Sequence, residues 1–266
     1  MQHIDKNKFG PWAIVTGASS GIGKEFARQL AASGLNLVLV ARRLALLEEL
    51  GQQLAKKFGI QYRAIDVDLS EENFLEKVTA VTGDLDIGLL ISNAGSGVPH
   101  EFLTADLAKM HGFVRLNILA HLDLTYHFGQ KLAQRGRGGV ILVSAMGAAH
   151  GIPYMANDGA TKAYVLSLGE ALHFEFQKRG VYVNVLLPGG VDTPVIAKLG
   201  LDIRTMPIKP ISVEQCVSGA LVALNANRAT HIPGRMFRIM AALTPPSMMT
   251  RMNGIMLAKA VAAKHA

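Results

Sequence analysis

Thr16-Gly17-Ala18-Ser19-Ser20-Gly21-Ile22-Gly23 is the stretch on which the fold turns. It follows a short apolar run, 13–16, with the character of a strand buried on both faces, and it opens a segment of helical periodicity over 23–33. Its glycines let the backbone turn tightly and let a bulky anion come close. The helix starting there aims unpaired N–H groups and the positive end of its dipole at the turn. A diphosphate suits such a turn.

Outward from the turn the same alternation repeats. Residues 35–40, 61–65, 87–92, 140–144 and 181–187 read as further buried strands. Between them 44–58, 72–82, a long stretch around 104–135, and 159–179 read as helices. This order predicts an α/β architecture, a doubly wound parallel sheet with helices on both faces. No internal repeat or low-complexity linker divides the chain, so one domain over 1–266 is expected. After Arg235 the pattern changes: methionines at 236, 240, 248, 249, 252 and 256 surround a Pro245-Pro246 break, and 245–266 reads as a helical tail.

Composition narrows the classes. Half of the 266 residues are hydrophobic and 18% are charged, which excludes a disordered chain. One cysteine, Cys216, forms no internal disulfide and builds no Cys-rich metal centre, so no metal site is expected. The first twelve residues lack an apolar h-region and no run of about 18 apolar residues occurs, so neither a secretory leader nor a spanning helix is expected. A reduced, cytoplasmic protein is the expectation. The net charge of +7 is scattered rather than blocked and only 6% of residues are aromatic, so no nucleic-acid partner is expected.

Several motifs in order make the chain resemble the short-chain dehydrogenase/reductase family. Thr-Gly-x-x-x-Gly-x-Gly at 16–23 resembles that family's cofactor turn, assigning Gly17, Ser19, Ser20, Gly21, Ile22 and Gly23 to a dinucleotide. Asp68-Leu69 resembles its adenine contact. Ser92-Asn93-Ala94-Gly95 resembles its Asn-Asn-Ala-Gly signature, with serine in the first place. Asn117 stands where the family carries the asparagine that orders a proton-relay water, and Thr161-Lys162 resembles the end of its Tyr-x-x-x-Lys motif. Pro188-Gly189, with Val191 and Thr193, resembles the segment that grips the nicotinamide amide. The resemblance runs to about Pro194 and implies a Rossmann fold, oxidoreductase activity and a homodimer or homotetramer formed through helices around 104–135 and 157–179.

The choice of dinucleotide is read from charge. Relatives that prefer NAD(H) carry an acid at the end of the second strand, bonded to the ribose hydroxyls. Ala41 stands there, followed by Arg42-Arg43. No carboxylate repels a 2′-phosphate, and a guanidinium can bond one bidentately, so NADP(H) is the expected cofactor.

The proton-transfer residues depart from the family's pattern. Where the family has its tyrosine, four residues before Lys162, the chain has Asp158; at the usual serine position it has Ala145, with Ser144 beside it. An aspartate of ordinary pKa costs about 4 kcal/mol to hold protonated at pH 7, and Lys162 one turn away would raise that cost. The sequence therefore disfavours ordinary carbonyl reduction. Four readings stay open: a redox-silent binder in which Asp158 and Lys162 form an i,i+4 ion pair; an ionised Asp158 as general base in isomerisation, elimination or cyclisation; another proton source, such as Tyr154; and a substitution introduced into an ordinary reductase. Asn117, Ser144, Asp158 and Lys162 are the candidate catalytic residues.

The substrate side lies beyond Thr193. Residues 194–211 contain Pro194, Pro207 and Pro210 among apolar residues and read as a substrate lid. A small apolar ketone or alcohol of lipid, steroid or polyketide type is the expected substrate. The methionine-rich tail is expected to pack within the chain or on a neighbouring subunit rather than on a membrane surface.

Overall fold

The computed structural model describes residues 4–201 and 208–265, so Pro207 of the expected lid lies outside the described residues. The strands are β1 (Trp12–Thr16), β2 (Asn36–Ala41), β3 (Tyr62–Asp66), β4 (Ile87–Ser92), β5 (Gly138–Val143), β6 (Val181–Leu186) and β7 (Thr230–His231). They form one parallel sheet in the order β3-β2-β1-β4-β5-β6-β7. The order reverses between β1 and β4, and in open α/β sheets that switch point is where ligands bind, beyond the carboxyl ends of the strands.

Period-2 alternation divides the sheet between two cores. Ala13 and Val15 of β1 and Leu37 and Leu39 of β2 join one core. Phe26 and Leu30 of α2 (Gly21–Ala32) and Leu47 of α3 (Leu44–Phe58) complete it on that face. Ile14, Val38 and Val40 point the other way, to Phe74 of α4 (Phe74–Thr82) and Phe128 of α6 (Ala120–Arg135). Burial on both faces is why these strands read as unbroken apolar runs.

The expected Rossmann architecture is the one observed, with differences in detail. A short helix, α1 (Lys6–Phe9), precedes β1, capped by the Asp5 carboxylate accepting from the Asn7 N–H at 2.9 Å. The stretch around 104–135 is broken into α5 (Leu107–Val114), a π-helical turn at Arg115–Leu119, and α6. β5 ends at Val143, placing Ser144 just past the strand. The helix bearing Asp158, α7 (Ala156–Gln177), begins three residues before the expected 159, so Asp158 lies in its first turn.

Beyond β6 come α8 (Pro194–Lys198), α9 (Val213–Asn225), α10 (Arg235–Leu243) and α11 (Pro246–His265). Cys216, on α9, is fully buried, and burial pushes its thiol up to about 12. Val191 and Ile211 form a parallel bridge, the Asp192 N–H donating to the Ile211 carbonyl at 2.9 Å and the Ile211 N–H to the Gly190 carbonyl at 3.0 Å.

Candidate active site

The turn after β1 is shaped as a diphosphate cradle. Gly17 holds φ +67°, and a Cβ there would come within 2.8 Å of Asn93 Nδ2. At Gly23 a Cβ would collide with the Gly17 carbonyl oxygen and lie 2.7 Å from Asn93 Nδ2. Ser20 occupies the N-cap of α2 without a side-chain capping bond, leaving the first-turn amides for an anion. The residues present fit a dinucleotide diphosphate.

Two arginines stand beyond the end of β2. Arg43 Nη2 donates to Ser19 Oγ at 2.8 Å, tying its guanidinium to the turn. Arg42 Nη1 lies 3.6 Å from Asp68 Oδ2. Asp68 also accepts from the Ser70 N–H at 2.9 Å and the Ser70 hydroxyl at 2.7 Å. Burial pushes the Asp68 carboxyl upward, but the Ser70 bonds and Arg42 outweigh it and hold the group below its ordinary value. Leu69 beside it is buried.

The loop after β4 is braced from three sides. Thr16 Oγ1 accepts from the Asn93 N–H at 2.8 Å and the Ala94 N–H at 2.9 Å, and Asn93 Nδ2 donates to the Thr16 carbonyl at 2.9 Å. Asn117, fully buried in the π turn, accepts from the Ser96 N–H at 3.0 Å and donates to the Ser96 carbonyl at 2.8 Å and to Thr161 Oγ1 at 3.2 Å.

The third brace is His121, which the sequence reading missed. Its Nδ1 lies 2.9 Å from Ser92 Oγ and its Nε2 lies 3.2 Å from the Ala94 carbonyl. That carbonyl requires a donor, so Nε2 carries the proton and Nδ1 accepts from Ser92. Full burial and the neighbouring Lys162 charge push His121 down to about 3. The unusual serine of the Ser92-Asn93-Ala94-Gly95 motif was the available signal: its short hydroxyl needs a partner, and His121 supplies one.

Lys162 and Asp158 sit below this loop. A Cβ on Gly95 would fall 3.0 Å from Lys162 Nζ and 3.3 Å from Asn117 Oδ1, so the three groups converge there. Lys162 Nζ donates to the Val143 carbonyl at 3.3 Å, and burial pushes it down to about 8 against the raising effect of Asp158. Among the described residues no salt bridge joins Asp158 to Lys162, so the i,i+4 pair of the binder reading does not form.

Asp158 is 4% exposed, and neither carboxylate oxygen has a hydrogen-bond partner. The main chain of Gly97 covers it: a Cβ on Gly97 would come within 2.6 Å of the carboxyl carbon. Burial pushes Asp158 up to about 6; the His100 ring, the Val98 backbone N–H and Lys162 draw it only partway back. The expectation of an ordinary aspartate pKa is therefore corrected, while Lys162 draws the carboxyl down as expected. Holding it protonated at pH 7 costs well under the roughly 4 kcal/mol of an ordinary aspartate, because desolvation outweighs the nearby cation.

Ser144 donates its hydroxyl proton to the Lys162 main-chain carbonyl at 2.7 Å, which commits the proton a substrate oxygen would need. Ala145 offers only a methyl group at the neighbouring position. Tyr154 precedes α7 with φ +62°, its carbonyl accepting from the His100 N–H at 2.8 Å. Pro188 accepts from the Met146 N–H at 2.9 Å; Thr193 lies against Gly21, and Val191 is buried. Gly189 is covered by the Phe237 ring of α10, within 2.7 Å of where a Cβ would be.

Two open, mostly apolar pockets adjoin this region. One of about 350 Å³ lies between Met146, His150, the 241–246 junction of α10 and α11, and Met249. Another of about 500 Å³ is lined by 148–153, by Ala156, Gly159, Ala160 and Ala163 of α7, and by Thr250. Asp158 and Lys162 line neither. His150, half-buried between them, accepts from Asn253 Nδ2 at 3.3 Å when its Nε2 is unprotonated, and burial lowers its pKa.

Residues 11–203 match the short chain dehydrogenase family. The 7beta-hydroxysteroid dehydrogenase of Mediterraneibacter gnavus is 33% identical over 189 residues, 71% of this chain and 72% of that protein. The Homo sapiens very-long-chain 3-oxoacyl-CoA reductase is 28% identical over 238 residues, 84% of this chain and 76% of its own. A solved 7beta-hydroxysteroid dehydrogenase superposes with a TM-score of 0.85 at 26% identity, covering 94% of this chain and 99% of that one. A short-chain dehydrogenase from Sphingobium yanoikuyae in complex with NADPH gives a TM-score of 0.79 at 30% identity, covering 92% and 93%. With the glycine turn, the braced loop after β4 and Lys162 in place on a seven-stranded parallel sheet, the chain belongs to the short-chain dehydrogenase/reductase family of oxidoreductases.

Proposed function

We propose that this protein is an NADP(H)-dependent oxidoreductase that interconverts a bulky apolar ketone and its alcohol, with Asp158 as the proton donor in reduction. The observation that carries the reading is the partnerless, buried Asp158 carboxyl, raised to about 6, on the helix face of Lys162. A carboxylic acid titrating there is protonated often enough near neutrality to act as a general acid. Its cationic neighbour stays charged and offsets the negative charge left by proton transfer. When bound, the reduced dinucleotide supplies the hydride. Residues 17–23 hold its diphosphate, Arg42 and Arg43 its 2′-phosphate, and Asp68 and Leu69 its adenine. Asn93, Ala94, Gly95, Lys162 and the 188–193 segment hold the nicotinamide end. The two pockets beside Met146 and His150 suit the apolar body of a substrate; Asp158 lines neither, so the reacting carbonyl has to reach it past the 95–100 loop. Exposed Phe102, Leu103, Leu107, Tyr126 and Phe174, on and beside α5–α7, support assembly of the chain as a homodimer or homotetramer.

One observation favours a second reading, a redox-silent NADP(H) binder: the Gly97 main chain lies over the carboxyl, and access to it requires the 95–100 loop to move. A single experiment separates the two. NADPH and NADH binding are measured by fluorescence, and NADPH oxidation is followed with steroid and long-chain ketones from pH 5 to 9. The reductase reading expects turnover that is greatest below pH 6 and falls as pH rises through the Asp158 titration. Asp158→Asn is expected to abolish turnover while retaining NADPH binding. Arg43→Ala should weaken NADPH binding about 10- to 100-fold and leave NADH binding little changed. Binding without turnover, converted to turnover by Asp158→Tyr with Ala145→Ser, would establish the silent binder. Tighter binding of NADH than of NADPH would refute the cofactor reading.

A further inference from the structure

Glu214 is the last acidic residue of the chain, and residues 235–266 hold five Lys and Arg with no Asp or Glu. α10 and α11 occupy that acid-free stretch, and each presents an apolar stripe outward. On α10, Met236, Ile239 and Leu243 are 58%, 41% and 77% exposed; on α11, Met248, Met252 and Ile255 are 55%, 40% and 56% exposed. The spacings i, i+3, i+7 and i, i+4, i+7 put each trio on one helix face. These stripes are not the faces that hold the helices in place. Phe237 is buried over Gly189, and Met249, Leu257 and Val261 are buried on the other side of α11.

On α11 the cations are arranged with the stripe. Arg235, Arg238, Arg251 and Lys259 are exposed, and among the described residues none of them forms a salt bridge. Arg251 stands three residues after Met248 and four before Ile255, and Lys259 four after Ile255, so cations and apolar side chains share one face of α11. No helix among the described residues is long and apolar enough to cross a membrane.

We propose that α10 and α11 form a docking surface for an anionic lipid bilayer, the two helices lying along the headgroup layer. Such a layer answers both features at once: lipid phosphates meet the cations and the acyl boundary takes the apolar stripes. A second copy of this chain on the same face would set like charges against like. A nucleic acid would neutralise the cations and leave six apolar side chains in water. A half-open pocket bounded by Met146, His150 and Met249 lies at the junction of these helices, on the same part of the molecule as the stripes. The surface does not depend on which substrate is turned over, and its test reads binding alone.

The full chain is pelleted with vesicles of phosphatidylcholine alone and of phosphatidylcholine containing phosphatidylglycerol, at physiological salt. Partitioning is expected to be about tenfold or more greater on the anionic vesicles and to weaken as salt is raised. Arg251→Glu with Lys259→Glu, and separately Met252→Glu with Ile255→Glu, should each reduce it about tenfold. Circular dichroism melts confirm that the variants are folded. If either pair unfolds the chain, Arg235→Gln with Arg238→Gln tests the same loss from α10. Equal partitioning on both vesicle types, or none on either, overturns the proposal. So does self-association that Ile255→Glu abolishes, or a nucleic-acid duplex that displaces the protein from the vesicles.

Discussion

Asp158 joins function to stability at the scale of one residue. Its carboxyl is raised from 3.8 in the unfolded chain to about 6 in the fold, so the native state holds the proton more tightly. The sign follows from linkage: the fold carries no penalty below pH 4 and loses stability as pH rises from 4 to 6. Asp158→Asn removes that loss. In urea unfolding, its stability relative to the unaltered chain is expected to rise by about 2 kcal/mol between pH 4 and pH 7.5. A pH-independent difference would mean that Asp158 ionises freely in the fold. His121 works in the opposite sense. Lowered from 6.5 to about 3, it favours the fold above pH 6.5 and withdraws that support as pH falls. Its contribution is common to both proteins and cancels in the comparison.

At the scale of elements, the β1–α2 turn is the most tightly specified connection near the site. Gly23→Ala would press a methyl group into the Gly17 carbonyl, which is main chain, and into the Asn93 side-chain amide, which is held by its bond to the Thr16 carbonyl. The expected cost is about 1–3 kcal/mol, read as a lowered Tm, with loss of NADPH binding. An unchanged Tm with unchanged binding would contradict the packing described here. This turn and six of the seven strands were legible in the chain, because double-sided burial writes continuous apolar runs and a helix opening on glycine writes a recognisable turn. β7 is only two residues long and leaves no such trace. The π turn at Arg115–Leu119 was hidden because no glycine or proline marks it in the sequence. The environment of Asp158 was hidden for a different reason. Its pKa depends on Gly97 and the loop after β4, more than fifty positions away in sequence, whereas the visible neighbour, Lys162, argued for the opposite shift. Ser92 hinted at an unusual partner, but only the packing of α6 identified His121.

At the scale of the whole molecule, the described residues present apolar surfaces of two different kinds. The face around α5–α7 carries Leu103 at 95%, Phe174 at 68% and Tyr126 at 66% exposure. Unlike the α10–α11 face, it is built partly of aromatic side chains, which suit a self-complementary subunit contact. Leu103→Glu with Tyr126→Glu is expected to shift the sedimentation coefficient to that of a monomer while leaving the melting profile cooperative. An unaltered sedimentation coefficient would overturn the reading of this face as a subunit contact. The parallel bridge between Val191 and Ile211 carries its own consequence for how such a protein diversifies. Two main-chain bonds cinch the neck of the excursion from 192 to 210, so its interior can lengthen or change composition with the sheet left in register. Closure entropy grows by only about 0.6 kcal/mol for each doubling of loop length. Change inside this one collar therefore leaves the 188–191 backbone ahead of it undisturbed.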